Sequence, residues 1–138
     1  MLDEIILIDD DKIVNALNER IIRNLLPDVS IKVFDNGEKG LVYLLSAKDQ
    51  NLKTLVFLDI SMPIMDGFQF MNVYENAIAY QDHSFVICLL TGSIDKADQE
   101  KANQYPSVLE YTKKPLGKEK IKTLIEQAIE VLNQKPLY

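Results

Sequence analysis

The sequence is poor in the features that mark secreted and membrane-inserted proteins. It contains one cysteine, Cys88, so no internal disulfide can form, and a single thiol is typical of a reducing compartment. The chain does not begin with a basic segment followed by an apolar one, and no apolar run is long enough to span a bilayer. These absences predict a cytoplasmic protein.

The chain also lacks an excess of positive charge. Its 15 lysine and arginine residues are outnumbered by 21 aspartates and glutamates, which gives a formal net charge of -6. This balance argues against nucleic acid or an anionic membrane as a direct partner. The 138 residues, 47% of them hydrophobic, are enough for one domain with a full core.

Two periodicities alternate along the chain. Short, almost continuously apolar runs typical of buried strands occupy 4–9, 30–35, 54–60, 84–90 and 108–112. Longer segments with helical spacing lie between them and after the last run. This alternation predicts a doubly wound α/β fold, a (βα)5 sandwich of three layers with one parallel five-stranded sheet. We expect a single domain over residues 1–138.

The helical segments differ in how much apolar surface they carry. The first has a long apolar stripe and ends before Pro27; the stripe contains Ile13, Val14, Leu17, Ile21, Ile22, Leu25 and Leu26. Segments 37–48 and 67–80 also have one apolar face. Segment 95–105 offers few apolar residues, so we expect a loosely held helix there.

Acidic residues end two of the predicted strands. The first strand ends in Asp9 and Asp10, and the third ends in Asp59. In a doubly wound fold, the carboxyl ends of the strands meet at the edge that binds ligands. Two like charges about 4 Å apart repel by roughly 4 kcal/mol at an effective dielectric near 20. The cluster therefore needs protonation, a cation or neutralisation by Lys114. Clustered carboxylate oxygens predict a Mg²⁺ site.

Local roles for some of these residues are an alternative. Asp10 or Asp11 can cap the first helix, and Asp66 is better explained as the cap of the helix that starts near Gly67. Pro63 and Gly67 predict a rigid turn that holds Asp59 at a defined angle. Capping does not explain Asp9, Asp10 and Asp59 together.

Five motifs in order make the sequence resemble the receiver domain of bacterial two-component response regulators. They are ILIDDD, VFDNGEKGL, LVFLDISMPIMDG, LLTGS and YTKKP. The resemblance implies the flavodoxin-like strand order 2-1-3-4-5. It also implies a signalling switch that takes up a phosphoryl group, rather than a turnover enzyme. His83, the single histidine, lies in a polar segment and is not expected to transfer phosphate.

The resemblance assigns a role to individual residues. Asp59 would accept the phosphoryl group, Lys114 would pair with it, and Thr91 would donate its hydroxyl to it. Tyr111 would swing inward on activation. Asp9, Asp10, Asp59 and the backbone carbonyl of Ser61 would bind Mg²⁺ or Mn²⁺.

The resemblance also implies partners. The phosphoryl group would come from a sensor histidine kinase or a histidine phosphotransfer protein. No output domain is expected in this chain, so we expect the face formed by helix 95–105, the fifth strand and the last helix to contact another protein.

Two other interpretations fit part of the sequence. The stretch ILIDDDKIV also fits a phosphatase related to the haloacid dehalogenases, with Asp9 as nucleophile, Asp11 as general acid, and Thr91 and Lys114 in support. That interpretation leaves Asp59 unexplained. The third possibility is an interaction module that keeps the receiver fold without being phosphorylated.

Overall fold

The computed structural model describes residues 1–79 and 84–134, and its elements follow the alternation in the sequence. The strands are β1 (Glu4–Ile8), β2 (Ser30–Phe34), β3 (Thr54–Asp59), β4 (Phe85–Thr91) and β5 (Val108–Lys113). The α-helices are α1 (Lys12–Leu25), α2 (Gly37–Ala47), α3 (Gly67–Tyr74), α4 (Lys96–Ala102) and α5 (Gly117–Gln134). His83 lies outside the described residues.

The described strands form one parallel sheet in the order β2-β1-β3-β4-β5. This confirms the predicted doubly wound, flavodoxin-like fold. The chain reverses its direction of travel across the sheet between β1 and β3, which are direct neighbours with Ile8 opposite Leu58. The residues that follow these two strands are therefore brought side by side at the carboxyl edge, where ligands bind in such folds.

Helices cover both faces of the sheet and enclose two apolar clusters. One cluster joins the strands to α2 and α3 and includes Tyr111; the other joins them to α1 and α5. Every residue of β1, β3 and β4 is buried, as in a sheet covered on both sides, whereas the edge strand β2 is partly exposed. In the described ranges, no helix combines the length and hydrophobicity needed to cross a membrane.

The apolar stripe of α1 only partly faces the core. Ile22 is fully buried, but Ile13 is 72% exposed and Leu17 is 56% exposed. The middle of α1 borders a groove of about 420 Å³ beside the β5–α5 connection. The apolar residues that line the groove are Val14, Leu17, Ile21, Pro115 and Leu116. The buried face of α1 is instead formed by Asn15, Asn18 and Ile22, so the apolar stripe lies partly to one side of the face that contacts the sheet.

Two helical segments are shorter than the sequence predicts. The segment predicted over 67–80 is α-helical only to Tyr74 and continues as a π-helical turn over Glu75–Ala79. Segment 95–105 contains only the short helix α4, which Asp95 caps and in which Ala102 is the buried residue. The low burial expected for this segment is confirmed, so α4 is held mainly by contacts at its ends.

Candidate functional site

Three carboxylates meet at the carboxyl edge of β1 and β3. Asp9 and Asp10 follow β1 directly, and Asp59 is the last residue of β3. One oxygen of each lies within 4.8 Å of the others. Asp9 and Asp59 are each only 2% exposed, whereas Asp10 is exposed. The cluster therefore has a buried floor and one side open to solvent.

Lys114 supplies the counter-charge on the buried side. Its ammonium nitrogen lies 3.1 Å from Asp9 Oδ2 and 3.2 Å from Asp59 Oδ1, so it bridges the two carboxylates. The backbone fixes the base of the side chain, because the Lys114 N–H donates to the carbonyl of Thr91 at 2.7 Å. The Lys114–Pro115 peptide bond is cis.

The charges of the cluster are not balanced. Burial and the negative charge of Asp9 raise the pKa of Asp59 to about 6, although Lys114 acts in the opposite direction. Burial tends to lower the pKa of Lys114, but Asp59 and Asp9 together raise it above its usual value. The ammonium is therefore firmly charged, and Asp59 still carries unfavourable electrostatic energy as a carboxylate.

The donor set fits a hard divalent cation. Three carboxylate oxygens lie within reach of one ion, and the open side at Asp10 leaves room for the water ligands that Mg²⁺ retains. One lysine against three carboxylates leaves excess negative charge for a cation to neutralise. Ser61 lies beside the cluster, since its N–H donates to Asp59 Oδ1 at 3.4 Å.

The turn after β3 holds Asp59 in place through close backbone packing. The Gly67 N–H donates to the carbonyl of Ile60 at 3.0 Å. A Cβ at Gly67 would lie 2.7 Å from Ile60 Cα and 3.1 Å from the Asp59 carbonyl oxygen, so only glycine allows this approach. Asp66 caps α3 in a reciprocal capping box with Gln69, as predicted.

Ile64 introduces strain into the same turn. Its φ of 73° lies in the left-handed region, which is unfavourable for a β-branched residue, and its side chain is 78% exposed. We expect Ile64→Asn to raise the free energy of unfolding by about 1 kcal/mol, because asparagine tolerates this backbone conformation. Ile94→Asn is the control, since Ile94 is also exposed but does not have a positive φ. Equal stability changes in the two variants, measured by urea denaturation, would contradict the strain argument.

The comparisons with known proteins agree with this geometry. A family model described as the response regulator receiver domain matches residues 5–126. The chain belongs to this family. It is thus a receiver domain of two-component signalling.

Solved structures of receiver domains share the fold. The chain matches a two-component response regulator from Cytophaga hutchinsonii at 30% identity and a TM-score of 0.82, over 94% of this chain and 98% of that one. A CheY-like receiver domain protein from Methanospirillum hungatei JF-1 matches at 22% identity and a TM-score of 0.70, over 95% and 98% of the two chains. The second likeness shows the fold alone.

A curated relative is much longer than this chain. Hybrid signal transduction histidine kinase K from Dictyostelium discoideum is 28% identical over 125 residues. The match covers 84% of this chain but only 10% of the relative. It therefore relates this receiver domain to one part of a larger signalling protein.

The other two residues that the sequence singles out for the receiver site lie beside the cluster or behind it. Thr91 ends β4 and is 4% exposed; its hydroxyl donates to the Ser93 carbonyl at 2.7 Å and accepts from the Ser93 N–H at 3.2 Å. Tyr111 lies in β5 and already points inward, with 8% exposure. Its buried hydroxyl has no hydrogen-bond partner among the described residues.

The local hydrogen bonds disfavour the phosphatase interpretation. Asp11 does not face the cluster, because its carboxylate caps α1 by accepting from the N–H groups of Ile13 and Val14. Asp9 accepts the Asp11 N–H with Oδ1 and contacts Lys114 with Oδ2. Neither residue is therefore placed as a free nucleophile or a general acid.

Sequence reasoning missed one residue of the site. Asn15 in α1 is 5% exposed, and its side-chain amide donates to the backbone carbonyl of Asp9 at 2.9 Å. In the sequence, Asn15 and the equally buried Asn18 resemble solvent-facing residues of an amphipathic helix. Their spacing of three and four residues from each other and from Ile22 is the signal that places them on the inner face.

Proposed function

We propose that Asp59 is the phosphoacceptor of this receiver domain. The phosphoryl group comes from a phosphohistidine on a sensor histidine kinase or a histidine phosphotransfer protein, with Mg²⁺ or Mn²⁺ as cofactor. The observation that carries the proposal is the position of Asp59, a 2% exposed carboxylate 3.2 Å from Lys114 and clustered with Asp9 and Asp10.

The chemistry requires a carboxylate that attacks without a general base. Because its pKa is about 6, Asp59 is mostly ionised near neutral pH. Its described contacts, with Lys114 and the Ser61 N–H, both involve Oδ1, which leaves Oδ2 for attack on phosphorus. A P–O bond forms to Asp59 as the P–N bond to the donor histidine breaks. The electron pair stays on the imidazole nitrogen, and the product is an acyl phosphate.

The residues of the cluster divide the charge stabilisation. Asp9, Asp10, Asp59 and the Ser61 carbonyl would hold the divalent cation, which supplies positive charge for the phosphoryl oxygens. Lys114 stabilises the same charge from the buried side. As the ammonium moves toward a phosphoryl oxygen, its contacts with Asp9 and Asp59 weaken.

Thr91 and Tyr111 transmit the change to the face formed by α4, β5 and α5. Thr91 exchanges the Ser93 carbonyl for a phosphoryl oxygen, which releases the segment between β4 and α4. The buried hydroxyl of Tyr111 has no hydrogen-bond partner among the described residues, which costs roughly 1–3 kcal/mol relative to a hydrogen-bonded hydroxyl. This cost favours a second position of the Tyr111 side chain in which the hydroxyl is hydrogen-bonded. Because α4 buries little surface, it can repack and present a changed face to a partner protein.

This function is that of a switch in the cytoplasm and not of a turnover enzyme. One phosphoryl group is taken up per molecule, and the signal is the altered surface. The single thiol supports a cytoplasmic location, and the domain would meet its phosphohistidine donor there.

The test is phosphorylation by a small donor that contains a P–N bond. We expect incubation with phosphoramidate and Mg²⁺ to add one phosphoryl group to the intact mass. Asp59→Asn is expected to abolish the adduct, since an amide is not nucleophilic enough to attack phosphorus. Asp66→Asn is the matched control, because asparagine keeps the cap of α3 while a carboxylate of the same loop is lost.

The result also separates the proposed function from its alternatives. An adduct that persists in Asp59→Asn would contradict the assignment of the acceptor. Steady release of inorganic phosphate from phosphomonoesters, abolished by Asp9→Asn, would support a phosphatase. Absence of an adduct with both phosphoramidate and a phosphorylated histidine phosphotransfer protein would favour an unphosphorylated interaction module.

A further inference from the structure

Asn15 is a buried polar residue beside the cluster with no part in the chemistry described above. It lies in the first turn of α1, where its own N–H donates to the Asp11 carbonyl at 3.1 Å. Its side-chain amide reaches back and donates to the Asp9 carbonyl at 2.9 Å, in a bond shielded from solvent. The side chain thus ties the start of α1 to the end of β1.

This bond acts on the peptide unit between Asp9 and Asp10. The peptide unit is planar, so the direction of the Asp9 carbonyl determines the direction in which Asp10 leaves the strand. The Asp9 carboxylate is held separately, by the Asp11 N–H at 2.9 Å and by Lys114 at 3.1 Å. Within the described part of the chain, no hydrogen bond holds the exposed carboxylate of Asp10. Its position therefore depends on the backbone that Asn15 fixes.

We propose that Asn15 is a positioning residue for the divalent cation of the receiver site. This inference rests on the proposed function, because it assigns Asn15 to the cation that supports phosphorylation of Asp59. Without the amide donor, the peptide between Asp9 and Asp10 can rotate and the three carboxylate oxygens can separate. Groups behind metal ligands commonly set affinity in this way.

The first measurement is Mn²⁺ binding by electron paramagnetic resonance, without a phosphodonor. We expect Asn15→Ala and Asn15→Leu each to weaken Mn²⁺ binding by about tenfold. Leucine has the same number and branching of side-chain heavy atoms as asparagine but no hydrogen-bond donor, so it provides a second test if the alanine variant does not fold. The Mg²⁺ concentration that half-saturates phosphorylation by phosphoramidate should rise to the same extent, and saturating Mg²⁺ should restore the rate.

Asn18→Ala distinguishes positioning from a structural role. Asn18 lies one turn further along α1 and is 7% exposed, but no described hydrogen bond joins it to residues 9–11. We expect this variant to bind Mn²⁺ like the wild type, whatever its melting temperature.

Two outcomes would overturn the inference, and they are distinguishable. If the wild type binds Mn²⁺ and is phosphorylated while both Asn15 variants keep its affinity, only the role of Asn15 is wrong. If the wild type neither binds Mn²⁺ nor takes up phosphate, the proposed function fails and the inference fails with it.

Discussion

Asp59→Asn is expected to stabilise the cation-free protein near pH 7 by roughly 3 kcal/mol. The pKa of Asp59 rises from 3.8 to about 6 on folding, mainly because of burial and then the charge of Asp9. At about 1.4 kcal/mol for each pH unit between the two values, keeping Asp59 ionised in the native state costs this amount. Asparagine occupies the same space without the charge.

The stability difference between Asp59→Asn and the wild type should depend on pH, because Asp59 titrates differently in the folded and unfolded states. Below pH 4, Asp59 is protonated in both the folded and unfolded states, so the two proteins should be almost equally stable. Between about pH 4 and pH 6 the native state binds more protons than the unfolded state, and the wild type loses stability as pH rises. The advantage of Asp59→Asn should therefore grow over this range and stay constant above it.

Urea denaturation in the presence of a chelator, repeated across this pH range, measures the effect. Asp66→Asn serves as the control for loss of a carboxylate in the same turn. Addition of Mg²⁺ should stabilise the wild type more than Asp59→Asn, since a neutral amide is a weaker ligand for a hard cation. A pH-independent advantage of Asp59→Asn would show that its origin is packing rather than charge.

The expected stabilisation measures the electrostatic cost that a bound cation would offset. Because the clustered carboxylates lower the stability of the cation-free protein, binding of a cation there is expected to raise the free energy of unfolding. Such trade-offs between stability and activity are common. The same repulsion that weakens the unliganded fold makes the edge of β1 and β3 receptive to a cation. Function and instability thus come from one arrangement of Asp9, Asp10 and Asp59.

Sequence reasoning predicted the sheet well, because apolar runs indicate the strands and the polar residues at their ends indicate the carboxyl edge of the sheet. The strand order placed Asp9 and Asp59 side by side, as the structure has them. The sequence does not give the depth to which a helix face is covered, and so the exposure of Ile13 and Leu17 was not foreseen. That exposure depends on how α1 is rotated about its axis, which places Asn15, Asn18 and Ile22 against the core.

Details of the site depend on side-chain direction, which spacing does not reveal. Neutralisation of the acids by Lys114 is one of the possibilities that the sequence offers, but only the structure shows that the ammonium bridges Asp9 and Asp59. The inward position of Asn15 is a similar case. A buried asparagine looks like a surface residue in a sequence, because burial of a polar group is explained by its hydrogen-bond partner, here a backbone carbonyl six residues away.

Lys114→Met is expected to have the opposite effect on stability, a loss of about 3 kcal/mol near pH 7 without a cation. The substitution leaves the carboxylates of Asp9 and Asp59, each only 2% exposed, without their shared counter-charge. The expected loss is at the lower end of the range for buried pairs, because the Lys114 side chain itself is 20% exposed. Lys113→Met is the matched control, since the neighbouring lysine is exposed and makes no described ion pair.

The double variant Lys114→Met/Asp59→Asn decides whether the loss comes from the carboxylates. Once Asp59 is neutral, Lys114 compensates only Asp9, so the same lysine substitution should cost clearly less than it does in the wild type. The pKa of Lys114 is raised, so the lysine of the wild type stays charged over the range in which Asp59 titrates. We therefore expect Lys114→Met to regain part of its lost stability on acidification, as Asp59 becomes protonated. Equal losses in the two backgrounds would mean that Lys114 stabilises the fold through its aliphatic chain and not as the bridge between β1 and β3.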